Sequence, residues 1–268
     1  MDTSNVECYN IIFHGGSRGN FLGALMQCFV DNYPIPISKY GSCHFDKRCG
    51  LNYDSISMLA YSQVQYFSQA PKFKTLRPRY IDQPFIIMDH MIIDYDEFIQ
   101  IFPKGKTLVV TYTKEDLPSL RANLLFKNIV EPIAVMIGHQ TLNDYSSVTQ
   151  ATRKQALNIW KSFTTEHLPE FKNKIPHPNS LSREDCLKFI YKELETLNYK
   201  VSFPPFEVLE HHKEHIFTLP YDKIIADKNY VLEFISNLMN RPITEEVINS
   251  YDRYIDAQKI IYEKTGLI

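Results

Sequence analysis

Tyr9-Asn10-Ile11-Ile12-Phe13-His14-Gly15-Gly16-Ser17-Arg18-Gly19-Asn20-Phe21-Leu22-Gly23-Ala24-Leu25-Met26 is the stretch on which the fold turns. Ile11, Ile12 and Phe13 form a short apolar run with the pattern of a buried strand. Gly15, Gly16 and Gly19 then put three glycines within five residues, which turns the chain. Beyond them, Phe21, Leu22, Leu25, Met26 and Phe29 recur on one face of an amphipathic helix. Strand, glycine-rich turn and helix make an anion site from backbone alone. The first amides of a helix have no intrahelical acceptor, and the helix dipole adds partial positive charge there. Glycines let that backbone come close to a phosphate or sulfate. Arg18 adds a planar, permanently charged fork beside Ser17. The same pattern also fits a tight strand-to-helix turn that holds no ligand.

Outward from this stretch, the chain alternates apolar runs with capped helices. Phe85-Ile-Ile-Met88 predicts a second buried strand, entered through Pro84 and ending on Asp89-His90. Lys104-Gly105-Lys106 turns into a third at 107–112, and 215–219 reads as a late strand returning to the sheet. Helices are expected from Asp54 to about Gln69, from Asp94 to before Pro103, and from Thr113 to about Lys127. Continuous apolar strands separated by helices argue for a mainly parallel sheet with crossover helices on both faces. The span 131–210 reads as a mostly helical insertion, with one helix from Val148 to Glu166 and another from Ser182. In the second, Leu187, Ile190, Tyr191, Leu194 and Leu197 share the apolar face. Asp227 starts a helix ending near Asn240, and a last helix runs from Thr244 to about Lys264, closed by Gly266. Without repeats or low-complexity linkers, residues 1–268 read as one domain.

Composition narrows the function classes. The net charge of −2 gives no bulk attraction to nucleic acid or acidic membranes, though a local basic site remains open. The five cysteines, Cys8, Cys28, Cys43, Cys49 and Cys186, are odd in number and scattered, which suggests a reduced, cytoplasmic chain. Cys43-His44 with Cys49 has no second ligand pair at zinc spacing, so no metal is expected. No run reaches the roughly 18 apolar residues of a membrane span. Residues 1–7 lack the basic and apolar regions of a signal peptide.

The turn Gly16-Ser17-Arg18-Gly19-Asn20, opening a helix after the first strand, resembles the sulfate-donor loop of the sulfotransferases. Asp89-His90, at the end of the second strand, sits where many of them carry a Thr-His pair. Lys106-Thr-Leu-Val-Val-Thr-Tyr112 and its helix match the strand and helix that bind the donor's 3′-phosphate. Leu219-Pro-Tyr-Asp-Lys-Ile-Ile225 is similar to their late Tyr-Glu-Asp-Leu strand and helix, and Tyr251-Asp-Arg-Tyr254 with Gln258 fits divergent members. The resemblance implies a P-loop-like three-layer α/β architecture, with 3′-phosphoadenosine 5′-phosphosulfate as cosubstrate and no metal. The partners would be that adenine nucleotide and an acceptor of unknown kind. Gly15, Gly16, Ser17, Arg18, Gly19, Asn20 and Phe21 would then hold the donor. The family's 3′-phosphate Arg and Ser have no matching pair here, and Ser119 and Arg121 are the nearest substitutes. The family loop usually reads Lys-Ser-Gly-Thr-Thr, so Arg18 serves as its cation if the loop is shifted by one residue. Lys114, Arg77 and Arg79 are the other cations within range of this reading.

The mechanism implied by the resemblance is an in-line displacement at sulfur. His90 accepts the proton of an acceptor hydroxyl or amine, and a histidine's ordinary pKa of about 6.5 suits that role. Arg18 and the loop amides stabilise charge building on the bridging phosphate oxygen. Two other readings stand beside this one. A non-catalytic binding protein could keep the same fold. Gly15-x-Ser17-x-Gly19 also matches the nucleophile elbow of serine hydrolases, which would make Ser17 the nucleophile. A P-loop kinase or ATPase would need Gly-x4-Gly-Lys-Ser/Thr, and Gly15 to Asn20 contains no such Lys-Ser/Thr.

Overall fold

The structure is a computed structural model. It describes residues 7–13, 17–35, 37, 41, 43, 58–60, 84–89, 98–100, 102–130, 133, 150–168, 180–196 and 212–267. In these residues the chain is α/β, with an all-parallel sheet flanked by helices. The five strands are β1 (Cys8–Ile12), β2 (Met58–Ala60), β3 (Phe85–Asp89), β4 (Lys106–Thr111) and β5 (Ile216–Pro220). Their order across the sheet is β2-β3-β1-β4-β5. The four strands expected from the sequence all lie in this one sheet. Ile12 stands opposite both Asp89 on β3 and Val109 on β4, and Thr111 stands opposite Pro220 on β5.

The fifth strand is a correction. Residues 54–69 carried helical spacing, but Met58, Leu59 and Ala60 pair in parallel with Ile86, Ile87 and Met88. Local propensity gave way to the edge of a sheet that offers unpaired backbone groups.

Backbone contacts divide the chain into two compact units. The first comprises 1–35, 52–113 and 201–252, and the second 36–51, 114–200 and 253–268. The first unit holds the sheet. In it, α1 (Gly19–Asp31) is buried on nearly every side, including Phe21, Leu22, Leu25 and Met26. Such an all-round apolar helix needs cover on all faces, and it packs on β1 and β3. Asn32 ends it in a left-handed turn, its N–H donating to the Cys28 carbonyl at 2.8 Å. After β5 come the short α5 (Lys223–Ala226) and then α6 (Lys228–Met239), the latter capped by Asp227, whose carboxylate accepts from the Tyr230 N–H at 3.1 Å. Lys106 at the start of β4 donates to the Leu238 carbonyl at 2.6 Å, satisfying an orphan acceptor at the end of α6. The last helix, α7 (Glu245–Thr265), begins in the first unit and finishes in the second.

The second unit contains α2 (Leu117–Leu125), α3 (Gln150–His167) and α4 (Arg183–Thr196). Its mainly aliphatic core holds an aromatic cluster: Phe163 and Phe189 have ring centres 4.3 Å apart, and Trp160 meets Phe189 edge-on at 5.6 Å. Ser182 and Asp185 cap α4 reciprocally, the Ser182 hydroxyl accepting from the Asp185 N–H at 3.1 Å and the Asp185 carboxylate from the Ser182 N–H at 3.3 Å. The buried stripe of α4 is Cys186, Phe189 and Ile190. Tyr191 therefore falls about 100° further round and is 48% exposed, against its expected place on the apolar face.

Candidate functional site

The strand order creates a particular place on the sheet. From β1 the chain crosses to the β3–β2 side, while from β4 it goes on to β5. The connections diverge between β1 and β4, and in open parallel sheets ligands bind beyond the carboxyl ends of strands at such a divergence. The turn from β1 into α1 leaves from that point.

Arg18 is the last residue of the turn and the N-cap of α1. Its backbone is left-handed, with φ 66° and ψ 16°, a conformation that costs a non-glycine residue about 1–2 kcal/mol. Its side chain is only 3% exposed. The guanidinium lies over the ring of Tyr221, with Cζ 4.2 Å from the ring centre. Among the described residues its Nε has no hydrogen-bond partner and no carboxylate pairs with it. A guanidinium cannot shed its proton, so its burial without a counter-anion is costly. Tyr221 follows β5 directly, and its N–H donates to the Thr111 carbonyl of β4 at 2.8 Å. Tyr251 on α7 stands near: burial raises its phenol above the usual range, and the charge of Arg18 opposes that rise only in part.

The start of α1 is itself electropositive. The side chain of its N-cap residue makes no capping hydrogen bond and its first turn carries no acid. In contrast, α7 starts with Glu245 and Glu246, and the Thr244 hydroxyl accepts from the Val247 N–H at 3.3 Å. An arginine cannot accept a hydrogen bond, so placing one at an N-cap adds positive charge where an acceptor would normally sit.

Gly19 permits this arrangement. A Cβ there would collide with the ring of Phe13, so the helix can start this close to the strand only with glycine. Asn20 is half-buried, and Phe21 is buried with its ring edge-on to Tyr251 at 5.8 Å. Ser17 is fully buried.

The structure thus brings together Ser17, Arg18, Gly19, Asn20 and Phe21 in the first unit. Gly15, Gly16, Arg77, Arg79 and His90 lie outside the described residues. Ser119 and Arg121 are half-buried on α2 in the second unit, and Lys114 is exposed just before it. Cys8, Cys28, Cys43 and Cys186 are buried and unbridged, and among the described residues no three His, Cys, Asp or Glu side chains form a metal-binding group. No described helix is long and apolar enough to cross a membrane.

Sequence reasoning missed the place of Tyr221 against the Arg18 guanidinium. The available signal was position: Tyr221 comes just after a strand parallel to β4, so it emerges on the edge from which Arg18 also emerges. No protein-family model matches the sequence, and no characterised protein matches it significantly.

Proposed function

We propose that the turn entering α1 binds the sulfate or phosphate group of a nucleotide, and that the chain is a sulfotransferase-like protein using 3′-phosphoadenosine 5′-phosphosulfate. The observation that carries the reading is Arg18: a buried guanidinium without a described carboxylate, at a helix N-terminus beyond the carboxyl end of the central strand. Each feature favours an oxyanion, and together they supply a fixed charge and a favourable dipole on one point.

In this proposal Arg18 and the first amides of α1 hold the anionic group being transferred or left behind. His90 takes the proton from the acceptor's hydroxyl or amine as its oxygen or nitrogen forms the new bond to sulfur. The old sulfur–oxygen bond breaks, and 3′-phosphoadenosine 5′-phosphate departs with the bonding electrons. Arg18 faces the charge that grows on the phosphate oxygen.

Titration with 3′-phosphoadenosine 5′-phosphate and with sulfate, followed by calorimetry and thermal shift, tests the reading. Saturable binding by the wild type is expected, together with its loss in Arg18→Ala, and that loss should shrink at high salt. Once an acceptor is found by screening, His90→Ala should lower turnover far more than donor affinity. Equal losses of both would remove its role as base, and no binding of either anion by the wild type would end the proposal.

A further inference from the structure

We infer that Tyr221 is the positioning residue of the anion site, its ring holding the Arg18 guanidinium in place for a sulfate or phosphate oxyanion without neutralising it. This rests on the anion-binding reading above. A long arginine side chain weakens binding if it must be ordered when the ligand arrives. A carboxylate could order it, but would also cancel its charge and compete with the ligand. An aromatic face attracts the cation through its quadrupole and carries no net charge.

The geometry fits this role. The separation of 4.2 Å is well within the roughly 6 Å reach of a cation–π contact. The ring cannot easily move, because Tyr221 is buried and its backbone is bonded at both groups. Its N–H donates to the Thr111 carbonyl at 2.8 Å and its carbonyl accepts from the Ile224 N–H at 3.1 Å. Tyr251 adds a second support, its hydroxyl donating to the Ile224 carbonyl at 2.7 Å and its ring meeting Phe21 in the first turn of α1. The end of β5, the helix after it and the first turns of α7 thus converge on the N-cap of α1, all within the first unit.

The test is a series at position 221 in the full chain: Tyr221→Phe, then the same ring carrying one, two and three fluorines. Fluorine drains the ring's negative face with little change of shape. Calorimetric titration with sulfate and with 3′-phosphoadenosine 5′-phosphate reads the result. Tyr221→Phe should bind within about twofold of wild type, and affinity should fall stepwise with fluorination, to roughly 2- to 30-fold weaker at the end of the series. Tyr221→Leu should be at least as weak. Should that variant not fold, the near-isosteric fluorinated series still decides. Affinity that is constant or rises along the series overturns the positioning role, a rise meaning that the ring competes with the anion for Arg18. If the wild type binds and Arg18→Ala does not while fluorination has no effect, the anion site stands and only the role of Tyr221 falls. If the wild type binds neither anion, both fall together.

Discussion

Arg18 occupies a backbone conformation that glycine adopts freely, and buries a charge where burial is expensive. Two local costs at one residue point to a gain made elsewhere, as strain at a binding site does. Arg18→Gly should separate the two. Without anion, relief of the left-handed strain and of the buried charge outweighs the lost contact with Tyr221, and the variant should be more stable by about 1 kcal/mol. Added sulfate stabilises only a state that binds it, so the wild type should gain stability with concentration and the variant should not. Melting temperatures in a sulfate titration should therefore cross. Curves that stay parallel, or a glycine variant less stable throughout, would mean that Arg18 is structural. The residue was visible in the sequence as the one cation of the turn. Its left-handed backbone was not, because three neighbouring glycines offered cheaper places for that conformation.

Among the elements, β1 and α1 were the most legible, and the reason is physical. An apolar run followed by glycines and a continuous apolar helix has few other ways to bury itself. Gly19 fixes how closely the two pack. Gly19→Ala should cost about 1–3 kcal/mol, since the new methyl must displace the Phe13 ring, and urea denaturation will measure it. A neutral result would show that Phe13 has room to rotate away. The strand β2 was illegible for the opposite reason: three residues with helical spacing take their conformation from a neighbour rather than from themselves. One polar feature of the sheet interior also escaped sequence reasoning. Asn10 on β1 and Thr107 on β4 stand opposite one another, fully buried, and among the described residues neither the Asn10 amide nor the Thr107 hydroxyl has a partner. An orphan buried hydroxyl costs about 1–3 kcal/mol, and valine matches threonine in shape. Thr107→Val should therefore raise the urea midpoint. A fall would reveal an internal water joining Asn10 to Thr107.

At the scale of the whole molecule, alkaline pH should loosen the fold through groups that folding keeps protonated. Burial pushes the Cys186 thiol from about 9 up to about 11, with Lys264 only partly opposing it. Burial, helped by Glu7, pushes the Tyr9 phenol from about 10 up to about 12. The Cys8 thiol is raised by burial alone. In each case the unfolded chain loses its proton first, so the bias toward the folded state is intact below the unfolded pKa. It is lost as pH climbs through the folded one. For Cys186 that window runs from pH 9 to about 11, and for Tyr9 from pH 10 to about 12. Within its window each group removes about 1.4 kcal/mol of stability per pH unit. Tyr9 and Cys8 belong to the unit that holds the sheet and Cys186 to the other, so the loss reaches both cores. Unfolding free energies from urea titrations should be level to about pH 9 and then fall with increasing slope. Cys186→Ala removes one of these groups, at the cost of a small cavity among Trp160, Phe189 and Ile190. Its stability should start lower at neutral pH and fall less steeply above pH 9, so that the two curves converge with rising pH. Parallel curves would mean that the Cys186 thiol titrates as freely in the folded chain as in the unfolded one, and that its place in the core is open to water.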